Sequence, residues 1–265
     1  MVYFYLKNVG EKDSVSISFS ESNGTLIREF STYAKENKDK LKVKSGANLF
    51  KWDMYYPEGK KVDGMVMWDG SMSGPRAIPG KYFVTLKTKN NREETTFEIL
   101  KDKRISSTDA DLKERFDFIQ SCNKKASESH EVIISIRDLR KQLSEFGDRL
   151  SDTTKYKPIF SKIKDIQKNM TDIEEALYQT KARSGQDLLN FPIKLVNKLL
   201  SVKSGASQGD YRPTDSQKAV AAELTLKIDE QLLKFKQIKE KDIAELNSLI
   251  RSANVDAILL TKEAK

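Results

Sequence analysis

Two hydrophobic periods divide the chain. Up to about residue 103 apolar residues recur at every second position in short runs: Val2 to Leu6, then Val15, Ile17 and Phe19 in strict alternation, then Leu26 to Phe30. A period of two is what a strand with one buried face produces. Further runs at Leu49 to Met54, at Tyr82, Val84 and Leu86, and at Phe97 and Ile99 continue the series, with Asn23-Gly24 and Pro79-Gly80 marking turns. About seven short strands in roughly 100 residues, with one long connection from Pro57 to Ile78, predict a small β-sandwich over residues 1–103.

At Thr108 the period changes to that of a helix. Leu112, Phe116 and Ile119 begin a stripe that Val132, Ile136, Leu139, Leu143, Phe146 and Leu150 continue in steps of four and three, which predicts one helix of about 40 residues. Pro158 opens a second helix at a position where its missing N–H costs little, and Ile159, Ile163, Ile166, Met170, Ile173 and Leu177 repeat the stepping. A shorter helix is expected from about Leu188 or Pro192 to Val202, followed by a loop from Ser204 to Pro213. Thr214 with Gln217 three residues on is a capping-box signature for the last helix. That helix carries a less regular stripe of Leu224, Ile228, Leu232, Phe235, Ile238, Ile243, Leu246 and Leu249, because a strict heptad would place Gln231 and Asp242 inside it. The narrow stripes of the first two helices predict an antiparallel four-helix bundle over residues 104–265.

Between the second and third helices lies a polar, irregular stretch unlike a flexible linker. Tyr178, Arg183, Gln186, Asp187, Asn190 and Asn197 alternate with Leu188, Leu189 and Phe191, as in an ordered corner. One use for such a set is to satisfy the end of one helix and the start of the next; the other is a ligand site.

Composition adds little to this division. The net charge of +8 is spread thinly: residues 1–104 hold 19 Lys and Arg against 14 Asp and Glu, and the rest hold 28 against 25, giving +5 and +3 without a basic block. Nucleic acid is therefore not an expected partner. No apolar run approaches the roughly 18 residues of a membrane span, and the N-terminus has no signal-peptide pattern. Cys122 is alone, so no intrachain disulfide forms, and compartment is not legible from cysteine.

No catalytic constellation is evident. His130 is the single histidine and lacks the preceding Glu of a di-metal bundle motif, so a surface position is expected for it and no metal or other cofactor is implied. Asp53, Asp63 and Asp69 lie near the long connection, where a glycosidase acid pair is one reading; for Asp53 the other is a turn anchored by its carboxylate. Trp52, Tyr55, Tyr56 and Trp68 bracket the same connection. Core packing and an aromatic platform for a glycan or protein are the competing readings, with Trp52 favouring the core.

Long motifs carry a resemblance. Gly46-x-Asn48-x-x-x-Trp52-Asp53, Gly64-Met-x-x-Trp68-x-Gly70, Gly74-Pro75-Arg76-x-x-Pro79-Gly80-x-Tyr82-x-Val84-x-Leu86, Asp109-x-Asp111-Leu-x-x-x-Phe116-Asp117-Phe118, Ile136-Arg137-x-Leu139-Arg140 and the run from Tyr178 to Leu195 resemble the C-terminal region of bacterial sortilin-like, BNR-repeat proteins, often labelled glycosyl hydrolases. The resemblance implies an immunoglobulin-like domain followed by a helical domain, at the end of a secreted or cell-envelope protein that begins with β-propellers. No Asp-box repeat occurs here, so the propeller and any catalytic residues it carries are absent, and a C-terminal fragment is expected. The implied role is a non-catalytic accessory or docking module whose partner is a propeller in cis or another protein. A carbohydrate-binding module using the Trp52 to Trp68 region is the alternative, and a glycoside hydrolase the third reading.

Overall fold

The computed structural model describes residues 1–256 except Glu11, Asp69 and Ser151. It is a mixed β and α protein in two compact units. One comprises Met1–Glu58, Ser73–Gln120 and Ala206–Pro213, the other Gly59–Met72, Ser121–Gly205 and Thr214–Lys265. The long connection is thus divided, its central Gly59–Met72 segment belonging with the helices.

In the first unit six strands form two antiparallel sheets. Strands β1 (Val2–Leu6) and β4 (Gly46–Phe50) make one; β2 (Val15–Glu21), β3 (Leu26–Ser31), β5 (Gly80–Thr88) and β6 (Arg92–Ile99) make the other in the order β3-β2-β5-β6. The alternation read from the sequence is the packing pattern: Val15, Ile17 and Phe19 are buried, as are Val84, opposite Phe19, and Tyr82, two residues before Val84. Phe19 stacks on Trp52, with ring centroids 4.4 Å apart, and meets Phe30 and Phe97 edge-on. Burying each such ring or aliphatic side chain contributes on the order of 1.5–3 kcal/mol.

The fourth strand departs from expectation. It runs over Gly46–Phe50 and not Leu49 to Met54, because the chain turns immediately afterwards. Asp53 Oδ1 accepts the Tyr55 N–H at 3.0 Å and Met54 takes a positive φ of 64°. At the other end Asn48 holds the approach to the strand, its Oδ1 accepting from Lys44 N and its Nδ2 donating to Lys44 O and Gly46 O.

In the helical part α1 spans Asp109–Arg149, α2 Lys157–Leu177 and α3 Leu195–Ser207, while α4 (Asp215–Gln237) and α5 (Ile243–Ser252) are joined by a π turn, Ile238–Asp242, into one unbroken helical stretch. Thr108 and Asp111 cap α1 reciprocally, and Thr214 with Gln217 caps α4 as its signature predicts. All six apolar positions expected on α2 are buried. On α1 the buried stripe includes Ile133 where Val132 was expected, together with Ser129 and His130. The π turn accounts for the place of Asp242 in the last stripe. Its additional residue resets the helical phase, so Ile238 and Leu246 both remain buried while half-buried Asp242 accepts from Lys162 at 2.7 Å. The third helix starts later and ends later than expected, continuing through Gly205 to Ser207. None of the helices is long and apolar enough to cross a membrane, among the described residues.

Gly74 marks the tightest backbone approach in the first unit. A Cβ there would lie 2.3 Å from Tyr56 O and 2.6 Å from Pro57 O, both backbone atoms that cannot rotate away. Gly74→Ala is expected to destabilise the protein by about 1–3 kcal/mol, read from the midpoint of urea unfolding; an unchanged midpoint would contradict this packing.

Candidate functional site

An irregular segment carries backbone donors and acceptors that no ladder or helix satisfies. For Gly59–Met72 the side chains of α1 and α3 supply the partners. At its neck, Gly59 N donates to Met72 O at 2.9 Å. Lys60 N donates to Ser127 Oγ at 3.0 Å, and Lys60 O accepts from His130 Nδ1. Asp63 O accepts from Arg137 at 3.1 Å. Trp68 is held at both backbone atoms by one amide: its N–H donates to Asn197 Oδ1 at 2.7 Å and its carbonyl accepts from Asn197 Nδ2. Ser71 O accepts from Lys203 Nζ, which also donates to Asn123 Oδ1 at 3.0 Å.

These contacts explain polar side chains in helix interiors. Asn123, His130, Asn197 and Lys203 are all buried. His130 is therefore not the surface residue expected from sequence. Its Nδ1–H is used on a carbonyl, leaving Nε2 as a buried lone pair without a donor, and burial lowers its pKa below the ordinary histidine value. Burial likewise pushes the Lys203 ammonium down to about 8 and the neighbouring Cys122 thiol up to about 11. At neutral pH Cys122 is an enclosed thiol and not a nucleophile.

A second network ties α1 to α2 and to the corner that follows it. Buried Glu174 accepts from Arg140 at 2.7 Å, from Arg137 at 3.3 Å and from the Tyr178 hydroxyl at 3.0 Å; Arg137 in turn donates to that hydroxyl at 2.7 Å. Arg137 thus joins the loop carbonyl of Asp63, the α2 carboxylate and the corner in one guanidinium, a use that its planar fork of five donors permits.

The ordered-corner residues divide by role. Tyr178 belongs to the Glu174 network and Asn197 to Trp68. Asp187 closes a short 3-10 turn, Gly185–Leu189, by accepting from the N–H groups of Arg183 and Ser184 at 2.7 and 3.0 Å, and these bonds lower its carboxyl pKa. Arg183, Gln186 and Asn190 are exposed, beside the exposed Leu189. The two helix-end uses and the surface use were not separable in sequence, since each asks for the same polar residue types.

The aromatic candidates also divide. Trp52 is core. Tyr56 is 8% exposed, its ring edge-on to Phe116 and its hydroxyl donating to Glu21 at 2.8 Å, so it offers no contact surface. Tyr55, in the first unit, is 43% exposed, and Trp68, in the second, 47%. Of the three acids, Asp53 is engaged by its turn and by Arg28 at 3.4 Å, Asp63 is exposed, and Asp69 lies outside the described residues. Among the described residues no group of three His, Cys, Asp or Glu side chains is placed to hold a metal ion.

The first unit holds a further feature that sequence reasoning missed. A cleft of about 770 Å³ is lined by Val2, Val84, Phe97 and Ile99 with Arg76 and Lys101 among its polar residues, and by Trp52, whose buried indole N–H has no acceptor. Nothing in the local pattern signals it, because its walls come from both sheets.

No family model, no curated protein and no solved structure matches the chain.

Removing the amide that holds Trp68, by Asn197→Ala, is expected to cost about 2 kcal/mol, roughly 1 per lost hydrogen bond, and to speed amide exchange at Trp68 and Gly70. Hydrogen-exchange mass spectrometry on the Gly59–Met72 peptide checks this. A second expectation concerns pH. His130 is neutral when folded and takes up a proton readily once unfolded, so its contribution is complete above the ordinary histidine pKa and is lost as pH falls below it. Melting temperature should drop between pH 7 and pH 5, and His130→Gln, which keeps a donor for the Lys60 carbonyl, should flatten that drop.

Proposed function

We propose that the chain is a non-catalytic docking module, corresponding to the C-terminal accessory region of a sortilin-like BNR-repeat protein, and that Trp68 is its principal contact. The two sheets are read as an immunoglobulin-like sandwich and the helices as an antiparallel bundle. The observation that carries the proposal is the treatment of Trp68: its backbone is fixed at both polar atoms by Asn197 while its indole remains 47% exposed. A large amphipathic ring held on a pinned segment is the arrangement found at interface hot spots, where little conformational entropy remains to be lost on binding. Of the polar residues with site-like spacing, Tyr178, Asp187 and Asn197 are used to hold the loop and the helix ends, which supports a scaffold over a reaction centre.

The expected partner is a β-propeller, in cis in a secreted or cell-envelope protein, or another protein surface. A carbohydrate-binding role is the second reading, favoured by the same exposed indole, since rings of this kind pack on sugar faces.

Titration of the chain with an Asp-box β-propeller from a sortilin-like protein is expected to give saturable heat by calorimetry. Trp68→Ala should weaken that association by about tenfold or more while leaving the melting temperature nearly unchanged. No association with the propeller would remove the docking reading. Quenching of tryptophan fluorescence by neutral oligosaccharides would move the assignment to the second reading, since Trp52 is buried and Trp68 is the accessible reporter. Glycan hydrolysis by the isolated chain would overturn both.

A further inference from the structure

The two-stranded sheet of the first unit buries one face and leaves the other bare. Along β1, Val2, Phe4 and Leu6 point to the core, while Tyr3 and Tyr5 are 74% and 70% exposed. The antiparallel register sets Leu49 opposite Tyr3 and Ala47 opposite Tyr5, so exposed Leu49 joins the two rings on the outward face. Two positions apart on one strand, the tyrosines stand about 7 Å from each other along it. A contiguous exposed surface of two phenol rings and a leucine marks a contact site more often than a scattered apolar residue does.

The groove on one side of this face is basic, while Tyr3 also borders the cleft that holds Glu98, Asp102 and Asp210. Lys7 and Lys51 follow the two strands, and Lys42 and Lys44 share with Tyr3 and Leu49 an open groove of about 500 Å³. Segments 1–10 and 40–52, which build the face, contain five lysines, no arginine and no acidic residue. Lys40, Lys42 and Lys44 alternate within one short segment, which the pairing of β1 with β4 brings beside Tyr3.

We propose that this face binds a linear anionic polysaccharide, with Tyr3 and Tyr5 packed against sugar rings and the flanking lysines paired with carboxylates or sulfates. The tyrosines supply a flat apolar surface and, at its edge, hydroxyls that exchange hydrogen bonds with sugar hydroxyls. Lysine presents a point charge on a flexible stem, which suits single anionic groups spaced along a polymer. Nucleic acid would favour arginine, whose fork grips phosphate and base edges and whose plane stacks, and arginine is absent from both segments. A protein partner fits less well, because lysine is depleted from protein interfaces. This site goes beyond the docking role and does not involve Trp68, so either can fail without the other.

The test uses the whole chain with polygalacturonate and chondroitin sulfate as anionic probes, dextran as the neutral one and an oligothymidylate as the competing polyanion. At roughly 50 mM salt at least one anionic glycan should bind saturably, with affinity falling as salt rises, while dextran does not. Tyr3→Ala/Tyr5→Ala leaves the net charge unchanged and should weaken glycan binding by about tenfold; Lys42→Gln/Lys44→Gln should weaken it and reduce the salt dependence. Melting curves establish that these variants are folded, and the single exchange Tyr3→Gln replaces the double variant should that one unfold. Failure of both anionic glycans to bind, retention of full affinity without the tyrosine rings, equal binding of dextran, or tighter binding of oligothymidylate would each overturn the proposal.

Discussion

The structure depends on the need of an irregular backbone segment to find hydrogen-bond partners. Gly59–Met72 has no strand beside it, so its N–H and carbonyl groups are matched by Ser127, His130, Arg137, Asn197 and Lys203 from two helices. An unmatched buried backbone group costs on the order of 1–3 kcal/mol, more than the net gain of a typical hydrogen bond. Polar residues are consequently placed at helix positions that would otherwise be apolar, and a long connection becomes a fixed part of the helical unit.

Burial of those polar groups sets their chemistry. Low-dielectric surroundings disfavour the charged form, which holds His130 neutral and lowers the Lys203 pKa. The groups that look most reactive in the sequence, a single histidine, a single cysteine and a lysine, are therefore enclosed supports. Arg137 plays the same part for a cluster that includes Glu174 and Tyr178, where several acceptors share one guanidinium and a buried carboxylate is fully partnered.

The recognition proposed for this chain is aromatic and rests on two of its exposed surfaces. Trp68 is exposed on the segment that the helices hold, and Tyr3 and Tyr5 are exposed on the sheet of the first unit. Both combine a rigid backbone with a free ring face, by side-chain hydrogen bonds in one case and by a strand ladder in the other. The accessory role proposed above would draw on both contacts, since two linked contacts bind more tightly than either alone.

Local pattern determined the elements. Alternation fixed the inward residues of β2, heptad stepping fixed the six buried apolar positions of α2, and Thr214 with Gln217 fixed the start of α4, because these depend on backbone geometry that neighbouring residues impose. The π turn at Ile238–Asp242 was not read from the last stripe, although Asp242, one of its two irregular positions, lies in it. Tertiary structure alone decided which polar residues were structural. His130 read as a surface residue and Tyr56 as a possible contact until the loop carbonyl and the Phe116 ring that enclose them were in place. The same holds for Asn197, whose partner Trp68 is far away in sequence, and for Lys42 and Lys44, set beside Tyr3 by the pairing of β1 with β4. Hydrogen-bond partners and charge patches are set by contacts between distant segments, and a period of two or of 3.6 residues carries no information about them.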